Sequence, residues 1–432
     1  MTPCRPGTDG KEEFLNRELF ERIERRIDGY RQAMIDLQVA LSAIPALAPE
    51  NGGDGEHLKA VVLAEFLGKK GFADIRRFPA PDGRVSSGAR PNIVAVLPAG
   101  SSTADTTWIL THTDVVPPGD ASLWDTDPYK VHVADDRIYG RGVEDNQQDL
   151  VASLFAATAF LDEGIKPPRN IGLAFVADEE TSSRWGLAYL LSHPQNPFRK
   201  TDLIVVPDGG NEEGSLIEIA EKSILWLRVH TRGKQCHASR PSQGRNAFAA
   251  AAHLIVKLDR LPGLFPLRDP LFEPSESTFE ATKKEANVPN INTIPGDDIF
   301  HLDCRVLPAY PLQDVLAAVR SIADEVEAER GVTIDLLPVQ MGQAPEPTSP
   351  EATVVKALRS AVGEVYGVEA RVGGIGGGTV AAYFRREGYP AAVWSKLSTT
   401  AHQPNEYCLI ENMLGNAKVF ARLFLQEDGS NP

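Results

Sequence analysis

The run ILTHTDVVPP, residues 109–118, ends an apolar stretch with His112, places Asp114 two residues later and stops on two prolines. An imidazole at the mouth of a buried strand, with a carboxylate beside it, suits a metal ligand and a group that orients it. The same residues also suit a solvated turn, and a short motif gains meaning only from its context. Three more apolar runs end in comparable residues. Residues 171–177 lead into Asp178, Glu179 and Glu180; residues 203–206 lead to Asp208 and two glycines; residues 391–395 are followed in a short loop by His402. Asp145 lies in YGRGVEDNQQ, just ahead of a helical segment. Ligands of open α/β sheets bind beyond the carboxyl ends of the strands, so these four ends and Asp145 predict one shared site.

Two imidazoles and three carboxylates could converge there, with Glu179 and Asp114 beside them. Oxygen and imidazole ligands without thiolate fit Zn²⁺, Mn²⁺ or Co²⁺ better than an iron–sulfur centre. Five ligands exceed one tetrahedral zinc. They suit two divalent ions about 3.5–4 Å apart that share a bridging carboxylate and keep positions open for water. Glu179 and Glu180 are adjacent, so at one site they must differ: one binds metal, the other takes a proton from water.

Elements of suitable length and period surround these positions. Over residues 16–44 the apolar residues Leu19, Ile23, Ile27, Tyr30, Met34, Leu37 and Leu41 recur every three or four positions, which predicts one long helix. Residues 57–70 repeat the pattern and stop at Gly71. Helices are also expected at 147–163, 351–366 and 410–425. The short runs 92–97, 107–111, 171–177, 203–206 and 391–395 lack strict alternation, as strands buried on both faces do. Together they predict a mixed sheet between helices. From Glu221 onward the pattern changes. Strands at 223–231, 290–294, 299–305 and 332–339 and helices at 247–258 and 312–327 follow in the order β-α-β-β-α-β, a ferredoxin-like unit. Residues 341–350, with three prolines, read as the way back. The expected domains are therefore 1–221 and 348–432, forming one catalytic α/β domain, with 222–347 inserted as an α+β domain. Residues 1–13 read as loosely attached.

Composition narrows the function. A chain of 432 residues is too long for one ordinary core, which agrees with two domains. The formal net charge of −15 disfavours a phosphate-binding surface, so no nucleic-acid partner is expected. Cys4, Cys236, Cys304 and Cys408 are scattered and form no CxxC pair, against both a disulfide framework and a cysteine zinc site. No signal-peptide pattern and no run of about 18 apolar residues is present, so neither secretion nor a membrane span is expected, and a cytoplasmic location is the default.

THTDVVP, YGRGVEDNQQ, ADEETSSRWG, VVPDGG and AHQPNEY resemble, in the right order, the five motifs of the co-catalytic zinc peptidases and deacylases. That family includes glutamate carboxypeptidase, cytosolic dipeptidases and carnosinases, aminoacylase, acetylornithine deacetylase and succinyl-diaminopimelate desuccinylase. GKQCHASRPSQGRNA and NINTIPG…DCR resemble its inserted dimerisation, or lid, domain, which implies a zinc-exopeptidase-like fold and a homodimer. The resemblance implies that His112 and Asp208 bind one metal, Glu180 and His402 the other, and that Asp145 bridges them through a cis bond to Asn146. It makes Glu179 the general base and Asp114 the group that orients His112. It further implies that His237 donates to the oxyanion, that Asn292 and Arg305 grip the substrate, and that the loop from Gly373 through Gly377, Gly378 and Thr379 holds the substrate carboxylate with its amides.

Two departures bear on substrate. The last ligand of the first metal is aspartate in the family's peptidases and usually glutamate in its aminoacylase and desuccinylase branches, so Asp208 leans towards a peptide. Gln147 stands where many members carry lysine, which marks a divergent branch. A short peptide with a free carboxylate is the expected substrate and an N-acyl amino acid the alternative. A catalytically silent binding protein would not need the complete ligand set together with Glu179.

Overall fold

The computed structural model describes residues 8–101 and 104–426. They fold into two compact units. One comprises the described residues up to Ile219, Thr348–Val372 and those from Tyr383 on; the other comprises Ala220–Pro347 and Gly373–Ala382. The sequence pattern places Gly373–Ala382 in the final catalytic segment; in the structure it groups with the inserted unit.

The first unit is built on an eight-stranded mixed sheet. The strand order is Asp74–Arg77, Ile93–Leu97, Asn170–Val176, Thr106–His112, Leu203–Asn211, Ala391–Lys396, Leu216–Glu221 and Arg371–Ile375, of which the last two leave this unit after Ile219 and Val372. The third to sixth of these are mutually parallel, so their carboxyl ends open on one edge. Their apolar runs have no polar face because neither face meets water: every residue of Thr106–His112 is buried. Helix Gln147–Asp162 is buried at every position from Gln147 to Phe160 and packs against Ile410–Phe424. Close approach fixes one glycine. Gly172 pairs with Trp108 on the neighbouring strand, and a Cβ there would lie 2.2 Å from the indole ring.

The second unit is a four-stranded antiparallel sheet in the order Thr278–Lys284, Asp297–Val306, Ser223–Arg232, Thr333–Gly342. Along Ser223–Arg232, Leu225, Leu227 and Val229 are buried in alternation. They share a core with Ala250, Leu254, Val315, Val319 and Ile322 from helices Ala247–Leu258 and Leu312–Arg330. Burying each of the larger of these side chains contributes about 1.5–3 kcal/mol. The result is the ferredoxin-like arrangement.

Three sequence expectations need correction. The long helix over 16–44 is two, Thr8–Asp28 and Arg31–Ser42, interrupted at Gly29–Tyr30, where the apolar period continues but the backbone turns. Of the stretch 1–13 expected to be loosely attached, Thr8 onward is helical, and residues 1–7 lie outside the described residues. The second strand of the inserted unit is Thr278–Lys284, not 290–294. It is an edge strand with five of seven residues exposed, so it carries no apolar signature. Of the 290–294 run, Thr293–Ile294 forms only a short pair with Cys236–His237. Cys236, Cys304 and Cys408 are free thiols, and Cys4 lies outside the described residues. No helix among the described residues is long and apolar enough to cross a membrane.

Candidate metal centre

The parallel strands deliver the side chains. His112 is the last residue of Thr106–His112, and Asp178, Glu179 and Glu180 follow closely on Asn170–Val176. Strand Leu203–Asn211 is longer than its apolar stretch and includes Asp208 itself. His402 lies in the loop after Ala391–Lys396 at φ 64°. Asp145 precedes helix Gln147–Asp162, and its peptide bond to Asn146 is cis.

These residues form two triads, His112–Asp145–Asp208 and Asp145–Glu180–His402, with Asp145 in both. His112 Nε2 lies 3.0 Å from Asp145 Oδ1 and 3.3 Å from Asp208 Oδ1. His402 Nε2 lies 3.1 Å from Asp145 Oδ2 and 3.2 Å from Glu180 Oε2. Each oxygen of Asp145 thus faces a different imidazole. The His112 side chain is 1% exposed and that of His402 56%, so the second triad is the one open to solvent.

The electrostatics fit a pair of cations. Burial, then the charge of Asp145, pushes the Glu180 carboxyl up to about 7. Burial and the Asp208 charge push Glu179 well above the carboxylate range, and burial also raises Asp208. Against burial, the two imidazoles hold Asp145 below its ordinary value. The imidazoles answer in kind. Hydrogen bonds to Asp145 and Glu180 raise His402 to about 10; contacts to Asp114, Asp145 and Asp208 overcome burial and raise His112 well above its usual value. Each imidazole nitrogen faces carboxylate oxygens that a cation could share with it. Glu180 Oε1 is buried and has no hydrogen-bond partner, a lone pair suited to a metal ion. The donor set of two imidazoles and three carboxylates matches borderline divalent ions.

The loops that carry these groups cross-brace each other. Glu144, beside Asp145, accepts N–H and O–H bonds from Thr400 and the N–H of Ser398 in the loop of His402. Glu406, beyond His402, accepts the N–H groups of Gly142, Glu144 and Asp145 at 3.1, 3.0 and 3.2 Å and pairs with Arg141. Sequence reasoning assigns neither glutamate a role, although both stand inside the motifs GVED and AHQPNEY. Burial is what distinguishes them, and burial is not written in a loop. Against burial, which dominates, these donors leave Glu406 still raised to about 7.

Asp114 differs in detail from the sequence expectation. His112 Nδ1 lies 3.1 Å from the main-chain carbonyl of Asp114 and 3.5 Å from its carboxylate. The carboxylate accepts the N–H groups of Glu179 and Glu180, at 3.1 and 3.0 Å. Asp114→Asn puts an amide donor against one of those donors. It is expected to lower kcat about 10–100-fold while two ions still bind at saturating metal. Steady-state kinetics with elemental analysis checks this, and loss of an ion to the same degree as in His112→Ala contradicts it.

The remaining site residues predicted from sequence lie in the second unit. His237 Nδ1 accepts the N–H of Ser239 at 3.1 Å and lies 2.7 Å from Ser239 Oγ. The Asn292 carbonyl accepts the N–H of Ala238 at 2.9 Å, which ties Asn292 to the His237 segment. Arg305 donates to both carboxylate oxygens of Asp303, at 2.7 and 3.0 Å, and to the Gly376 carbonyl at 2.8 Å. Gly377 and Gly378 follow in that loop, and Thr379 Oγ1 accepts the N–H of Ala381 at 3.2 Å.

Residues 108–426 match the family model described as peptidase family M20/M25/M40. The chain is 39% identical over 408 residues to an uncharacterized metallohydrolase of Methanococcus maripaludis, an alignment covering 89% of this chain and 97% of the relative. It is 26% identical over 393 residues to a succinyl-diaminopimelate desuccinylase of Paracoccus denitrificans, covering 90% and 96%. Its fold is similar to that of human carnosine dipeptidase 1, with a TM-score of 0.74, 20% identity and 94% and 98% of the two chains covered.

Proposed function

Because the chain belongs to peptidase family M20/M25/M40, and is thus a metal-dependent hydrolase of amide bonds, we propose that it cleaves a short peptide with a free carboxylate, using two zinc ions. The observation that carries this reading is the pair of triads sharing Asp145. His112, Asp145 and Asp208 would hold one ion, and Asp145, Glu180 and His402 the other. When bound, the ions lower the pKa of a water and polarise the scissile carbonyl; Mn²⁺ or Co²⁺ could serve in place of zinc.

The chain's own groups do the rest. Glu179 follows Asp178 in the turn at the strand end, with its N–H held by Asp114. It takes the proton of the attacking water and returns it to the leaving amine. By likeness to the family's motifs, His237 donates to the developing oxyanion. Asn292 and Arg305 grip the substrate, and the amides of Gly377, Gly378 and Thr379 hold its carboxylate. The same likeness supports a homodimer formed through the second unit and a cytoplasmic location.

Asp208 in place of glutamate favours a peptide. The desuccinylase relative favours the second reading, an N-acyl amino acid. A panel of dipeptides against N-acetyl and N-succinyl amino acids, each with Zn²⁺, Mn²⁺ and Co²⁺, separates them. Dipeptides are expected to show kcat/KM at least about tenfold higher, which is about 1.4 kcal/mol of transition-state binding. The reverse order assigns the deacylase reading.

A further inference from the structure

Four successive backbone N–H groups lead into the two working glutamates, and each is bonded to a side chain from elsewhere in the first unit. Ala177 donates to Asn92 Oδ1 at 3.1 Å and Asp178 to Glu56 Oε1 at 3.2 Å. Glu179 and Glu180 donate to the two oxygens of Asp114 at 3.1 and 3.0 Å. Glu56 is wholly buried and stands just ahead of helix His57–Lys69. Arg90, equally buried, donates its Nε to Glu56 Oε2 at 2.6 Å and its Nη2 to Oε1. Its Nη1 lies 3.8 Å from Asp178 Oδ1.

A buried ion pair is a poor device for stability alone, since apolar residues of similar volume often serve as well or better. This one lies directly against a residue in an unusual conformation. Asp178 has φ 62°, in the left-handed region, where a side chain other than glycine's needs local support. Its carboxylate supplies part of that support by accepting Ser182 Oγ at 2.8 Å, the Trp185 N–H at 3.1 Å and the Thr181 hydroxyl. Glu56 adds to it by accepting the Asp178 N–H.

We propose that Glu56 is a positioning residue for the reaction. By accepting the Asp178 N–H it sets the pitch of the Asp178–Glu180 turn, so that Glu179 reaches the water and Glu180 the second metal. The inference rests on the two-metal reading above. It assigns Glu56 no contact with substrate or metal.

Two double variants separate positioning from stability. E56M/R90M removes the ion pair and the acceptor together; E56Q/R90M removes the pair but keeps an amide oxygen for the Asp178 N–H. Asp178, and Asp82, whose Oδ2 lies 3.9 Å from Arg90 Nη1, retain other donors in both: Thr181, Ser182 and Trp185 for the first and Arg84 for the second. The experiment is a Co²⁺ and Zn²⁺ titration of the metal-free full chain against a competing chelator, read beside thermal melting and steady-state kinetics. In E56M/R90M the second ion is expected to bind about 10–100-fold more weakly and the first as in the parent. Its kcat should fall by a similar factor, with KM within about threefold and a melting temperature matching that of E56Q/R90M. E56Q/R90M is expected to recover the second ion and most of kcat. The proposal is overturned if E56M/R90M binds both ions and turns over as the parent does. It is equally overturned if E56Q/R90M is as impaired as E56M/R90M, because the acceptor then does not matter. A parental chain that takes up no more than one ion overturns the two-metal reading, and this inference with it.

Discussion

Glu179→Gln is expected to lower kcat by about two to four orders of magnitude, with two metal ions still bound and KM little changed. The substitution keeps the size of the side chain and the N–H bond from Glu179 to Asp114, so the turn has no reason to move. What it removes is a group able to gain and give back a proton. Neighbouring Glu180 cannot take over, because its Oε2 is committed to the His402 side of the second triad. Pre-steady-state and steady-state kinetics on the metal-loaded variant measure the loss. Turnover within tenfold of the parent would remove Glu179 from the role of base. Unchanged kcat with weakened metal binding would make it a ligand instead.

Asp145→Ala is expected to have the widest effect on metal binding. Asp145 Oδ1 and Oδ2 face His112 and His402 separately, so one substitution deprives both triads of an oxygen. His112→Ala and His402→Ala each remove a ligand from one triad only. Changes beyond the ligands already cost about 10–100-fold in metal affinity, so loss of a shared ligand should exceed that for both ions together. The expected pattern is therefore coupled loss of two ions in Asp145→Ala and loss of one ion in each histidine variant. Competition titration with elemental analysis distinguishes these. Independent loss of a single ion in Asp145→Ala would mean that the carboxylate does not bridge.

Much of this arrangement is legible in the sequence because the chemistry sits at strand ends. His112, Glu180, Asp208 and His402 each follow a short apolar run without strict alternation, the pattern of a strand buried on both faces, and the structure brings all four to one edge with Asp145. The inserted unit is legible from the order of its elements but not in every strand. Thr278–Lys284 pairs along the sheet edge with its side chains in solvent, so no hydrophobic period marks it. The helix break at Gly29–Tyr30 is hidden for the opposite reason, since Ile27, Tyr30 and Met34 keep the apolar spacing across it. Least legible are the charged residues that hold the site residues in place. Glu56, Arg90, Glu144 and Glu406 act because they are buried and meet partners far away in sequence. A glutamate in a loop looks the same in sequence whether it meets water or an N–H group. Asp114 is legible in part: its spacing pairs it with His112, whose Nδ1 lies 3.5 Å from its carboxylate, but the bonds of its carboxylate oxygens to the N–H groups of Glu179 and Glu180, 65 and 66 residues on, leave no mark in the sequence.

The central claim is that Asp145 stands between two metal ions. Anomalous diffraction at the zinc edge, from crystals of the zinc-loaded protein, tests it most directly. Two peaks are predicted in each chain, one among His112, Asp145 and Asp208 and the other among Asp145, Glu180 and His402. A single peak, or two that do not share Asp145, would contradict it.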